Sequence, residues 1–88
     1  MDKQSAISTV RGILKSSNFG IRIPDEFGDQ ESLFSRGIID SFGLLAFINE
    51  LQSKFGFKVE NREIHPGNFE TLDRIAAFVC TKKEEEND

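Results

Sequence analysis

The sequence predicts an all-α fold: a four-helix bundle with three main helices, one short third helix and a long loop between the first two. Two observations point there. Three segments carry apolar residues at helical spacing, each behind a residue suited to cap a helix. Between the first two of them, residues 18–39 hold no period long enough for a further long element. A chain of 88 residues makes one domain with a modest core. That domain is assigned to residues 1–83, and the acidic run 84–88 to a disordered tail.

In the first segment Ser5 is the expected N-cap, and Ile7, Val10 and Leu14 follow on one face with Ile13 beside them. The first helix is expected over 5–17, with Gly20 available for a left-handed turn beyond it. The loop that follows carries Gly20, Pro24, Gly28 and Gly37 among scattered apolar residues. So long a connection suits a functional loop packed down by its own side chains, here Leu33, Phe34, Ile38 and Ile39, with one helical turn near Glu31 to Ser35. Its glycines and few regular hydrogen bonds make it the expected soft region.

The second helix has the clearest pattern. Leu44, Phe47, Ile48, Leu51 and Phe55 fall at i, i+3, i+4, i+7 and i+11, Asp40 precedes them as a cap, and Gly56 supplies the stop. The helix is expected over 41–55. Phe57-Lys58-Val59 is a short connector. A brief helical turn is expected at 61–65 around Ile64, ended by His65-Pro66-Gly67, because proline disfavours helix in the residue before it. Thr71 then caps a last helix, with Leu72, Ile75, Ala76 and Val79 on one face, running to about Thr81.

Composition narrows the function classes. The net charge of −4 belongs to the tail: without the four acids of residues 84–88, the chain holds 11 acids and 11 bases. From Asp25 to Glu50, however, six acids face Arg36 alone. Such a surface repels nucleic acid and attracts a basic partner. No apolar run approaches the length of a membrane span, and Met1-Asp2-Lys3-Gln4 is no signal peptide, so a cytoplasmic location is expected. The one cysteine, Cys80, builds no internal disulfide framework. One cysteine and one histidine, His65, build neither a metal centre nor a nucleophile with an oriented base. No glycine-rich phosphate loop occurs. An enzyme is therefore not expected.

The chemistry concentrates at Ser41, which stands in the first turn of the most apolar helix. Asp40-Ser41 alone reads as an ordinary helix start. Its setting adds a long loop before it, Leu33-Phe34 and Gly37-Ile38-Ile39 immediately upstream, and Phe42 and Leu45 lying off the core stripe beside the hydroxyl. Exposed apolar groups beside an acidic loop form a docking surface.

The run Leu33-Phe34-x-x-Gly37-Ile38-Ile39-Asp40-Ser41-Phe42-x-Leu44-Leu45 resembles the attachment motif of the acyl carrier protein family, and the likeness continues in order over essentially the whole chain. The resemblance implies an acyl-carrier-like bundle in which Ser41 accepts 4′-phosphopantetheine from coenzyme A. A magnesium-dependent phosphopantetheinyl transferase (holo-carrier synthase) would make the transfer. The arm would then carry acyl or aminoacyl thioesters to partner enzymes: a loading ligase, a ketosynthase or an acyltransferase. Asp40 would meet the transferase, while Phe42, Leu45 and Ile64 would border the arm and its docking partners. The protein is expected to be a monomer. Fatty acid, polyketide and nonribosomal peptide biosynthesis all use such carriers. Two departures point away from the fatty-acid carrier. The second helix holds one acid, Glu50, between Asn49 and Lys54, where that carrier is rich in glutamates; and Asp-Ser-Phe is reminiscent of D-alanyl and peptidyl carriers. A stand-alone carrier for a dedicated pathway is the reading this favours. The rival is a small helical interaction module that is never modified, in which Phe42 and Leu45 simply bind a partner.

Overall fold

The structure, a computed structural model, describes residues 2–16 and 23–86. They form α1 (Lys3–Ser16), α2 (Ser41–Phe55), a 3-10 turn (Asn61–Glu63), α3 (Pro66–Phe69) and α4 (Leu72–Glu86), with no strand among the described residues. The all-α bundle with a short third helix and a long first loop is therefore the observed architecture. Gly20, Phe19 and Ile21, part of the expected loop, lie outside the described residues.

Helix bounds follow the caps. α1 begins two residues before the expected start because Asp2, not Ser5, is the cap: its Oδ1 accepts from the Ser5 amide at 2.7 Å, and its carbonyl accepts from Ala6. α2 has the expected bounds. Asp40 Oδ1 accepts from the Gly43 amide, and Gly56 closes the helix at φ 77° with its amide on the Gln52 carbonyl.

The region after α2 departs from expectation. The helical turn at 61–65 is a 3-10 turn of three residues, held by a capping box in which Glu60 and Glu63 exchange side-chain and backbone bonds. His65 and Pro66 do not end a helix but start one: Pro66 opens α3, where its missing N–H costs nothing. Thr71 caps α4 as expected, its Oγ1 accepting from Arg74 at 3.0 Å. α4 runs beyond Thr81 to Glu86, so residues 84–86 of the expected tail are helical here. Lys82 pairs with Glu63 at 3.1 Å and Lys83 donates to the Phe55 carbonyl at 3.0 Å, tying this extension to the end of α2 and the 3-10 turn.

One core joins the elements. Val10 and Leu14 of α1, Phe47 and Leu51 of α2, Phe69 of α3, and Leu72, Ile75 and Val79 of α4 are fully buried. α1 and α4 share the most extensive interface. A chain of rings fills the lower end: Phe55 stacks on Phe57 at 5.8 Å, and Phe78 meets both Phe57 and Phe69.

The described part of the loop, 23–39, is well anchored. Leu33 and Ile39 are buried, and Phe34 and Ile38 are packed against the core, as expected; Ile23 and Phe27 are further anchors. Residues 32–38 make one capped turn. Ser32 Oγ accepts from Ser35, Arg36 donates to the Ser32 carbonyl, and Gly37 (φ 69°) and Ile38 return bonds to Phe34 and Leu33. That closing pattern is a Schellman motif. Tertiary bonds fix the loop between helices: Leu33 N to Glu70 O, Asp73 N to Asp29 O, and Arg11 to both the Phe27 carbonyl and Asp29. The loop has few regular bonds but many long-range ones.

Candidate functional site

The turn closed by Gly37 delivers the chain to Ile39, whose buried side chain sets the start of α2. From there Asp40, Ser41 and Phe42 emerge into solvent, with Leu45 one turn on. Phe42 is 86% exposed and Leu45 56%, the two large apolar side chains left in water. The cap and Ser41, Phe42 and Leu45 thus form one continuous exposed group on the first two turns of α2. Ile64 differs: it is half-buried, packs against the core and stands at the end of the 3-10 turn.

Ser41 is the first residue of α2 and exposed, and among the described residues nothing hydrogen-bonds its hydroxyl. The first intrahelical bond runs from Leu44 N to Asp40 O at 2.8 Å, and Gly43 N is taken by Asp40 Oδ1 at 2.7 Å. The amides of Ser41 and Phe42 therefore have no intrahelical acceptor and lie at the positive end of the helix. An exposed hydroxyl there suits a phosphate ester: its anionic oxygens meet free N–H donors, and nothing must be displaced to reach it.

Gly43 is a contributor that sequence reasoning missed. A Cβ on it would stand 3.3 Å from Asp40 Oδ1 and 3.5 Å from Ile39, so a larger residue would press on the carboxylate that caps the helix. The available signal was the Asp-x-x-Gly spacing, which puts the smallest residue at the amide the cap must reach.

The acidic surface is weaker than its count suggests. Asp25 pairs with Lys15, Asp29 with Arg11 and Glu31 with Arg36, so three of the six acids between Asp25 and Glu50 are matched by bases. Lys15 also holds the Asp25 carboxyl below its ordinary value by hydrogen bonding and charge. Arg36 lies over the Phe27 ring as well, 5.7 Å from its centroid. An open groove of about 320 Å³ runs between the 63–68 segment and α4, lined by Glu63, Asn68, Arg74 and Phe78 among others; it includes none of the predicted site residues.

Among the described residues no helix is long and apolar enough to cross a membrane. No curated protein matches the chain. Residues 8–79 match the family described as phosphopantetheine attachment site, a span running from α1 through the loop, Asp40-Ser41 and α2 into α4. By that match over most of its length, the chain belongs to the phosphopantetheine-attachment family as a member of the acyl carrier proteins, whose prosthetic group is a covalently attached 4′-phosphopantetheine.

Proposed function

We propose that Ser41 is the attachment residue and that the protein is a stand-alone carrier of acyl or aminoacyl groups serving a dedicated lipid, polyketide or nonribosomal-type pathway. The carrying observation is the exposed Ser41 hydroxyl at the head of α2, free of partners and beside free first-turn amides. In the transfer, Ser41 Oγ forms a bond to the phosphorus nearer the pantetheine, the pyrophosphate bond to the nucleotide breaks, and the hydroxyl proton leaves to the transferase or water. The bound group supplies a thiol for thioesters; the protein holds and presents it. The Ser41 and Phe42 amides face the phosphate, Asp40 fixes the turn and meets the transferase, and Phe42, Leu45 and Ile64 border the docking partner.

The chain itself is a carrier and not a catalyst in this reading. It works in the cytoplasm as a monomer with a phosphopantetheinyl transferase and a loading or condensing enzyme, residues 1–83 forming the carrier unit. The pathway assignment rests on Asp40-Ser41-Phe42 and on the single acid of α2, Glu50. Intact mass after incubation with coenzyme A, magnesium and a broad-specificity transferase tests the attachment. One phosphopantetheine added to the wild type and none to Ser41→Ala is expected. Addition to both would move the site elsewhere, and addition to neither, with several transferases, would favour the unmodified interaction module.

A further inference from the structure

The outer face of α2 carries no charge. At 100° per residue, Phe42, Leu45, Ala46, Asn49 and Ser53 lie opposite the core stripe of Leu44, Phe47, Ile48, Leu51 and Phe55. Burial agrees: Phe42, Leu45, Asn49 and Ser53 are exposed and Ala46 is half-buried, while all five of the core stripe are buried. The helix's two charged residues, Glu50 and Lys54, fall together on one flank, four residues apart and opposite in sign. Starting beside Ser41, the face runs about 16 Å along the helix, apolar at its first two turns and amide or hydroxyl beyond.

Resting on the carrier reading above, we infer that the enzymes which modify and use Ser41 engage α2 through an uncharged groove: an apolar cleft for Phe42 and Leu45, then neutral hydrogen-bonding groups opposite Asn49 and Ser53. The partner chemistry follows from charge matching. A basic surface laid along this face would bury cations with no carboxylate to meet them, a desolvation cost without return. Asp40 is the one acid at the head of the face, and its Oδ1 is engaged by the Gly43 amide. Affinity then comes from burying two apolar side chains, and salt screens little of it.

The test uses the whole chain and a broad-specificity phosphopantetheinyl transferase, measuring kcat/KM for the carrier at saturating coenzyme A. As sodium chloride rises from about 0.05 to about 0.5 M, kcat/KM is expected to change by less than about twofold. Phe42→Ala is expected to lower it about tenfold or more at every salt concentration, with far-UV circular dichroism unchanged. The double variant Asn49→Glu, Ser53→Glu is expected to lower it too, by placing unpaired carboxylates against a neutral groove. A fall of more than about fivefold with salt, or a gain from the double variant, would reveal a basic partner surface and overturn the inference while leaving Ser41 as the attachment site. Absence of any addition to Ser41 would overturn the carrier reading and this inference with it.

Discussion

Two glycines, given the same one-carbon extension, are expected to move stability in opposite directions. Gly12 lies in α1 with ordinary helical backbone, and a Cβ there meets nothing within 4 Å. Gly37 also has open space around a new Cβ, but its φ is +69°. Sterics with neighbouring atoms are therefore absent at both, and the backbone decides the sign. At Gly12, alanine removes conformational freedom from the unfolded chain and suits the helix, a gain of about 0.5–1 kcal/mol. At Gly37 the left-handed conformation costs an L-residue about 1–2 kcal/mol, offset in part by the same unfolded-state effect, leaving a net loss of about 1 kcal/mol. For a domain of this size a change of 1 kcal/mol moves Tm by roughly 4–8 °C. Urea titration of Gly12→Ala and Gly37→Ala should give midpoints on either side of the wild type, with m unchanged. Gly37→Asn should lose less than Gly37→Ala, because asparagine tolerates this conformation better. If Gly37→Ala were as stable as the wild type, the Schellman closure that delivers the chain to Asp40-Ser41 would be wrong.

Further outcomes follow from burial, capping and charge. Leu33→Ala removes a fully buried loop anchor and should cost about 2–5 kcal/mol in urea or thermal unfolding, a loss of under 1 kcal/mol arguing that the loop is not packed as described. Thr71→Ala should cost about 1 kcal/mol by freeing the Arg74 amide at the head of α4, and Thr71→Ser should recover most of it. Acid should destabilise the fold. The Ser5 amide lowers the Asp2 carboxyl, the Lys15 ammonium that of Asp25 and the Lys3 ammonium that of Asp73; burial pushes Glu63 up, but the Glu60 amide and Lys82 outweigh it. With folded-state values below the ordinary 3.8 and 4.5, the native chain binds fewer protons than the unfolded one. Their contribution is complete above about pH 5 and lost as pH falls through 4 and below, so a urea midpoint that rose on acidification would contradict it.

Local chemistry made much of this fold legible. The bounds of α2 follow from Asp40 and Gly56, and its core stripe from a 3.6-residue period, because capping and periodicity act over a few residues. The prominence of Phe42 and Leu45 was legible for the same reason: residues opposite a core stripe face water. The start of α1 was misplaced since Ser5 and Asp2 are both competent caps and only packing chooses. α3 escaped because His65-Pro66 signals a stop and a first helical turn equally well, and four residues carry no period. α4 outlasts its apolar pattern by virtue of Lys82 and Lys83, whose partners Glu63 and Phe55 are far away in sequence. The long loop looked soft for a related reason. Its restraints, Arg11 to Asp29 and Leu33 to Glu70, join residues that no local pattern connects. The same pairing explains why an acid count overstated the charge offered to a partner.

The central claim is that the protein presents a phosphopantetheine arm from Ser41, and locating that group on the chain tests it most directly. After treatment with coenzyme A, magnesium and a transferase, proteolysis and tandem mass spectrometry should place a single phosphopantetheine on the peptide containing Asp40-Ser41-Phe42, with fragment ions assigning it to Ser41. Assignment to another serine, such as the exposed Ser35 or Ser53, or an unmodified Ser41 in a chain that has reacted, would contradict the account.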